Sequence, residues 1–247
     1  MRLLELFSGT GSIGRAFPDF DVTSLDLIGS PTLKMNILDW DFERLPRDSF
    51  DVIWASPPCT HYSRARTTAK TPRDLKGSDA LVQRTLDIIE HFRPQVWLME
   101  NPATGMLKDR PVVADLPFRD VCYCRYGALY RKPTRVWGNL GEHWSSRPMC
   151  SRQCPCENMT NGRHPVSAQQ RAGRPGDRTF TRAELYAIPP ELCEEIAAAT
   201  RLSLFLAGGP GLERVAEDVA GPPGTPAGNR EPPLLTPGVS EGLAPVL

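Results

Sequence analysis

Four short apolar runs in the first hundred residues each stop at a cluster of glycine, proline or polar side chains, and this pattern restricts the fold more than any other feature of the chain. Leu3–Phe7 runs into Ser8-Gly9-Thr10-Gly11-Ser12-Ile13-Gly14, a turn expected to open a helix. Val22–Leu27 contains Asp26. Asp51–Ala55 runs into Ser56-Pro57-Pro58-Cys59. A helix carrying Leu81, Leu86, Ile88 and Ile89 precedes Gln95–Met99, which ends at Glu100-Asn101-Pro102. Strands that alternate with helices imply an α/β fold: a mostly parallel, Rossmann-like sheet with helices on both faces, and ligands at the carboxyl ends of its strands. Each polar cluster falls at such an end.

A chain of 247 residues supports one full-sized core. No apolar run reaches the roughly 18 residues of a membrane helix, and Glu5 stands where a secretory leader would be apolar, so an intracellular protein is expected. Seven cysteines in that setting point to metal binding or catalysis rather than disulfides. The net charge of zero hides a segregation. Residues 60–182 hold 21 basic and 11 acidic side chains, and the rest hold 8 and 18. A basic middle is an electrostatic footprint for a polyanion.

Individual motifs leave choices open. Gly9-Thr10-Gly11-Ser12-Ile13-Gly14 after a strand, with Asp26 on the next one, suits a nucleoside ligand whose ribose hydroxyls the acid would hold; NAD and S-adenosylmethionine fit equally. Cys59, on a stiff double-proline turn, is placed as a nucleophile would be, although a lone cysteine also serves as a small core filler. Glu100 follows the apolar Val96-Trp97-Leu98-Met99, and a desolvated carboxyl there could act as an acid or hydrogen-bond donor.

Taken together, Leu6-Phe7-Ser8-Gly9-Thr10-Gly11, Ser56-Pro57-Pro58-Cys59, Glu100-Asn101-Pro102 and Tyr126-Gly127 followed by Arg131 and Arg135 resemble the ordered motifs of the cytosine-5 DNA methyltransferases. The resemblance covers roughly residues 2–140 and 180–206. It implies that Cys59 attacks C6 of a cytosine flipped out of the duplex, that Glu100 contacts N3 and the exocyclic amine, and that a methyl group passes from S-adenosylmethionine to C5. Pro102 replaces the usual Val. The family's Gln-x-Arg-x-Arg motif is altered, with Tyr130 in place of Gln; Arg135 is expected against the base, with Arg131 second. For the cofactor, Phe7, Gly9, Gly11, Ser12, Ile13, Asp26, Leu27, Asn36, Ile37 and Pro57 are implied, and Ile188-Pro189-Pro190 resembles the last motif, which closes the pocket.

His61 and Tyr62, with Ser63, Arg64 and Arg66, follow the nucleophile on a loop expected to close over DNA, its arginines near phosphates. The expected organisation is a catalytic domain of residues 1–140 and 180–206, a recognition insertion at 141–179, and a disordered tail at 207–247, where 8 Pro and 8 Gly occur. So short an insertion implies a recognition sequence of about two to four base pairs, read by a few arginines such as Arg152, Arg163 and Arg171. Cys150, Cys154, Cys156 and His164 could bind structural zinc or remain plain thiols. The leading reading is a compact, phage-like, monomeric enzyme in the cytoplasm, or in the host cytoplasm if phage-encoded. Its rivals are an RNA cytosine methyltransferase, transfer of a modified group from an S-adenosylmethionine derivative, and a catalytically idle DNA-binding homologue.

Overall fold

The computed structural model describes residues 1–67, 69–151, 164, 166 and 180–208. Seven strands form one sheet: β1 (Arg2–Leu6), β2 (Asp21–Asp26), β3 (Leu33–Lys34), β4 (Val52–Ala55), β5 (Val96–Pro102), β6 (Phe118–Cys122) and β7 (Pro133–Gly138), in the order β3-β2-β1-β4-β5-β7-β6. All neighbours from β3 to β5 are parallel, whereas β7 runs antiparallel to both β5 and β6. This is the α/β, Rossmann-like architecture expected. β6, β7 and the two-residue β3 add to the four strands legible in the sequence.

Both faces of the sheet are covered. Helix α1 (Leu75–Phe92) lays Val82, Ile88 and Phe92 on one face, against Leu4, Ile53, Met99 and the Trp40–Phe42–Phe50 aromatic group. A short α2 (Arg182–Tyr186) precedes α3 (Pro190–Leu206), whose Leu192, Ile196 and Leu204 cover the other face with Leu3, Trp54, Leu98 and Val136. The Asp74 side chain caps α1 by accepting from the Gly77 N–H at 2.8 Å. Pro190 opens α3 at the position where a missing N–H costs nothing. Among the described residues, no helix is long and apolar enough to cross a membrane.

One local expectation fails. The glycine-rich turn leads only into the 3-10 turn Gly14–Ala16 and no further. Pro18 bars Phe17 from helical geometry, and Phe17 takes φ −119°, ψ 57° instead. Residues 141–151 begin on the α3 side: Trp144 Nε1 donates to Glu195 at 2.9 Å, and Arg147 pairs with Glu191 and Glu195. The remainder of the expected tail, residues 209–247, lies outside the described residues.

Candidate active site

At the carboxyl ends of β1, β2, β4 and β5 the chain surrounds a cavity of about 260 Å³. One end is bounded by Phe7, Gly9, Asp26, Leu27, Asn36 and Ile37, the other by Pro57, Cys59, Glu100, Asn101 and Lys132. Positive φ at Phe7 (54°) and Gly9 (50°) turns the chain sharply off β1. Asp26 ties the loops beside it together, because its carboxylate accepts from the Gly9 N–H at 2.8 Å and the Ile28 N–H at 3.0 Å. Leu27 and Ile28 stay largely exposed at the rim, an unusual place for two adjacent apolar side chains unless a flat apolar ligand covers them. Ser12 also lines the cavity, and its hydroxyl accepts from the Ile188 N–H at 3.2 Å, closing the site with the segment before α3. Gly11 and Ile13 do not line it. Gly11 bonds back to Ser8, and Ile13 is buried in the core.

Glu5 was not among the expected site residues. It sits almost fully buried below the glycine-rich turn and accepts from the Ile13 and Gly14 N–H groups, each at 3.2 Å. Burial pushes its carboxyl up to about 7 despite those two donors. A Cβ at Gly14 would stand 2.9 Å from the carboxylate, so the last glycine of the motif makes room for this cap. An apolar strand interrupted by one acid just before a glycine-rich turn is the signal that could have found it.

At the other end, Cys59 is half-buried. Burial raises its thiol above the ordinary range, and the nearby Glu100 charge adds to the effect, while Lys132 opposes both. Glu100 is buried and accepts from the Tyr123 hydroxyl at 3.0 Å. Tyr123 is itself fully buried, which holds its phenol well above its usual value, so it remains a donor. The Asn101 amide donates to the Pro57 carbonyl at 2.8 Å, fixing the Pro-Pro-Cys turn to the end of β5. Its Oδ1 is buried with no hydrogen-bond partner.

Arg135, the arginine expected against the base, does not line the cavity. On β7, Thr134 and Val136 share a face with Glu100 by strand alternation, and Arg135 points to the opposite one. There it pairs with Asp120 at 2.7 and 2.9 Å and stacks on Phe118. Lys132 supplies the cation in the cavity instead: its Nζ lies 4.4 Å above the Tyr123 ring and donates to the Leu185 carbonyl at 3.3 Å. Arg131 is exposed and stands near Cys122 and His164.

The loop after Cys59 is anchored by Tyr62, which is fully buried and donates to Asp79 at 2.8 Å. Ser63 is half-buried. Arg64 and Arg66 reach the surface, Arg64 beside Asp109 and Arg66 bonded to Thr71. Arg152, Arg163, Arg171, Cys154 and Cys156 lie outside the described residues. Of the expected metal ligands, Cys150 and His164 are described and adjacent, with Cys150 Sγ and His164 Nε2 3.4 Å apart.

Residues 30–111 match the family model for C-5 cytosine-specific DNA methylase. A Frog virus 3 (isolate Goorha) protein named "Probable DNA (cytosine-5)-methyltransferase" is 33% identical over 218 residues, 79% of this chain and 98% of that protein. The chain belongs to the C-5 cytosine-specific DNA methylases. Membership supports DNA cytosine-5 methyltransferase activity, use of S-adenosylmethionine and DNA as substrate. Among solved structures, this methylase is similar to Entamoeba histolytica methyltransferase EhMeth, with TM-score 0.44, 15% identity, and coverage of 60% of this chain and 56% of that one. It is also similar to S. pombe Dnmt2 methyltransferase, with TM-score 0.38, 14% identity, and coverage of 56% and 49%. The chain spans about half the length of the solved structures it matches.

Proposed function

We propose that this methylase transfers a methyl group from S-adenosylmethionine to C5 of a flipped-out cytosine in duplex DNA, at a short recognition sequence and as a monomer. The observation that carries this reading is one cavity lined both by Phe7, Gly9, Asp26 and Ile37 and by Cys59 and Glu100. The residues at the first end suit the cofactor: exposed Leu27 and Ile28 offer an apolar face, Asp26 an acid for ribose hydroxyls, and Gly9 a backbone open to close approach. When bound there, S-adenosylmethionine supplies an electrophilic methyl group and leaves as the neutral thioether.

The protein's own task is to make C5 nucleophilic. Cys59 Sγ gives its proton to solvent and bonds to C6 while the C5–C6 π pair moves toward C5. Glu100 meets N3 and the exocyclic amine and stabilises the activated ring, and Tyr123 donates to one of its oxygens. Lys132 favours the thiolate against burial. After transfer, loss of the C5 proton to a base and departure of Cys59 restore the aromatic ring. A base inside the stack cannot reach Cys59, which is why flipping is part of the proposal. Residues 1–140 and 180–206 are assigned to catalysis and 141–179 to target recognition, with Arg64 and Arg66 near phosphates.

The test incubates the protein with labelled S-adenosylmethionine and duplex DNA carrying 5-fluorocytosine, with a matched RNA as a second arm. A covalent adduct on DNA that disappears in Cys59→Ala is expected. An adduct on RNA alone moves the substrate to RNA; cofactor binding with no adduct on either leaves an idle DNA-binding homologue.

A further inference from the structure

Two kinds of buried cysteine occur among the described residues. Cys193 sits inside the apolar core among Leu192, Ile196 and Trp54, as a small hydrophobic filler does. Cys122, Cys124 and Cys150 are equally buried but form a cluster of their own, separate from both halves of the core. Their sulfurs all lie within 4.8 Å of one another, with Cys122 and Cys124 3.4 Å apart. His164 Nε2 lies 3.4 Å from Cys150. Tetrahedral zinc with Zn–S about 2.3 Å and Zn–N about 2.0 Å places its ligand atoms about 3.5–3.8 Å apart. Three thiols gathered off the core, with an imidazole on one of them, approach that spacing.

The geometry points to a structural zinc site made of Cys122, Cys124 and Cys150 with His164 as the fourth donor. It differs from the ligand run suggested by sequence spacing, because Cys122 ends β6 and Cys124 lies in the 3-10 turn that follows it. Binding leaves all three sulfurs as thiolates, any remaining thiol protons going to solvent, and gives a site of net charge −1, which the neighbouring Arg131 offsets. The ligands arrive from three directions. Cys122 ends β6, Cys150 follows the Trp144–Arg147 stretch held on α3, and His164 lies two residues before Val166, which bridges to Tyr130. One ion would thus clamp the start of the recognition segment to the sheet edge. Tyr123, between the first two ligands, would be held where its hydroxyl meets Glu100.

Metal analysis of the purified full chain tests this. About one zinc per chain is expected, lost in Cys122→Ser, Cys124→Ser and Cys150→Ser, reduced at least tenfold in occupancy under chelator challenge in His164→Ala, and kept in Cys154→Ser and Cys193→Ala. Because the serine variants risk misfolding, cobalt(II) exchange into the wild-type chain is the second measurement, and the visible bands of tetrahedral thiolate coordination should appear. Absence of stoichiometric metal and of those bands overturns the site. So does a Cys122–Cys124 disulfide found by mass mapping, or zinc retained in Cys122→Ser but lost in Cys154→Ser. Full retention in His164→Ala overturns the fourth ligand.

Discussion

The parallel half of the sheet and its antiparallel edge handle functional residues by different rules. In the parallel half, every strand ends at the same rim, so a motif that ends a strand lands in the cavity: Phe7 and Gly9 after β1, Asp26 at the end of β2, Cys59 after β4, Glu100 in β5. At the edge, β7 runs the other way, and which face a residue occupies depends on its register with β5 and β6. Lys132 enters the cavity and Arg135 does not. Position along the chain therefore reads as function in one half and only pairing reads as function in the other.

The largest expected effects lie in the parallel half. Cys59→Ala should lower turnover by at least about 10³-fold and remove the covalent adduct, with thermal stability little changed. Glu100→Gln should cost about 10²-fold or more in kcat, and Tyr123→Phe should cost less, since it removes one partner of the carboxyl and leaves the carboxyl itself. Rapid-quench kinetics with labelled cofactor measures both.

At the edge, Lys132→Met and Arg135→Met form a matched pair. Lys132→Met should slow adduct formation about tenfold and displace its pH dependence. The Cys59 thiol is already raised by burial, so the rate should climb as pH rises above neutrality, and losing Lys132 should move that limb further up. Arg135→Met should instead cost about 1–2 kcal/mol of stability through its part-buried pair with Asp120, with the pH profile unmoved. A kinetic loss confined to Arg135→Met would restore the role first expected of it and end the contrast between the two regions.

A separate effect, on stability rather than turnover, concerns Glu5. Its folded value of about 7 lies above the ordinary carboxyl value of 4.5, so the folded state binds the extra proton in between. That contribution to stability is present in full below the lower value and is lost as pH rises through the upper one. Chemical denaturation from pH 4.5 to 8 should show stability falling across this window, and Glu5→Gln should flatten the fall.

Much of the site was legible because its ligands are strand ends, and strand ends carry their own punctuation: apolar runs closed by Gly-rich, Pro-Pro-Cys and Glu-Asn-Pro clusters. Glu5 escaped notice because an acid inside an apolar strand looks like an interruption until its two backbone donors are seen. Cys122 and Cys124 escaped because nearness in sequence favoured Cys150, Cys154 and Cys156, while the sheet edge is what brings Cys122 and Cys124 to Cys150.

The sequence by itself determined the α/β class and the order of the motifs, since these follow from local periodicity, and through the resemblance those motifs carry it offered Cys59 and Glu100 as candidate nucleophile and carboxyl. Only the tertiary structure decided which cation faces Cys59, how Glu100 is held, and which thiols meet. Those depend on strand direction and register, which arise when distant segments pair and have no local signature.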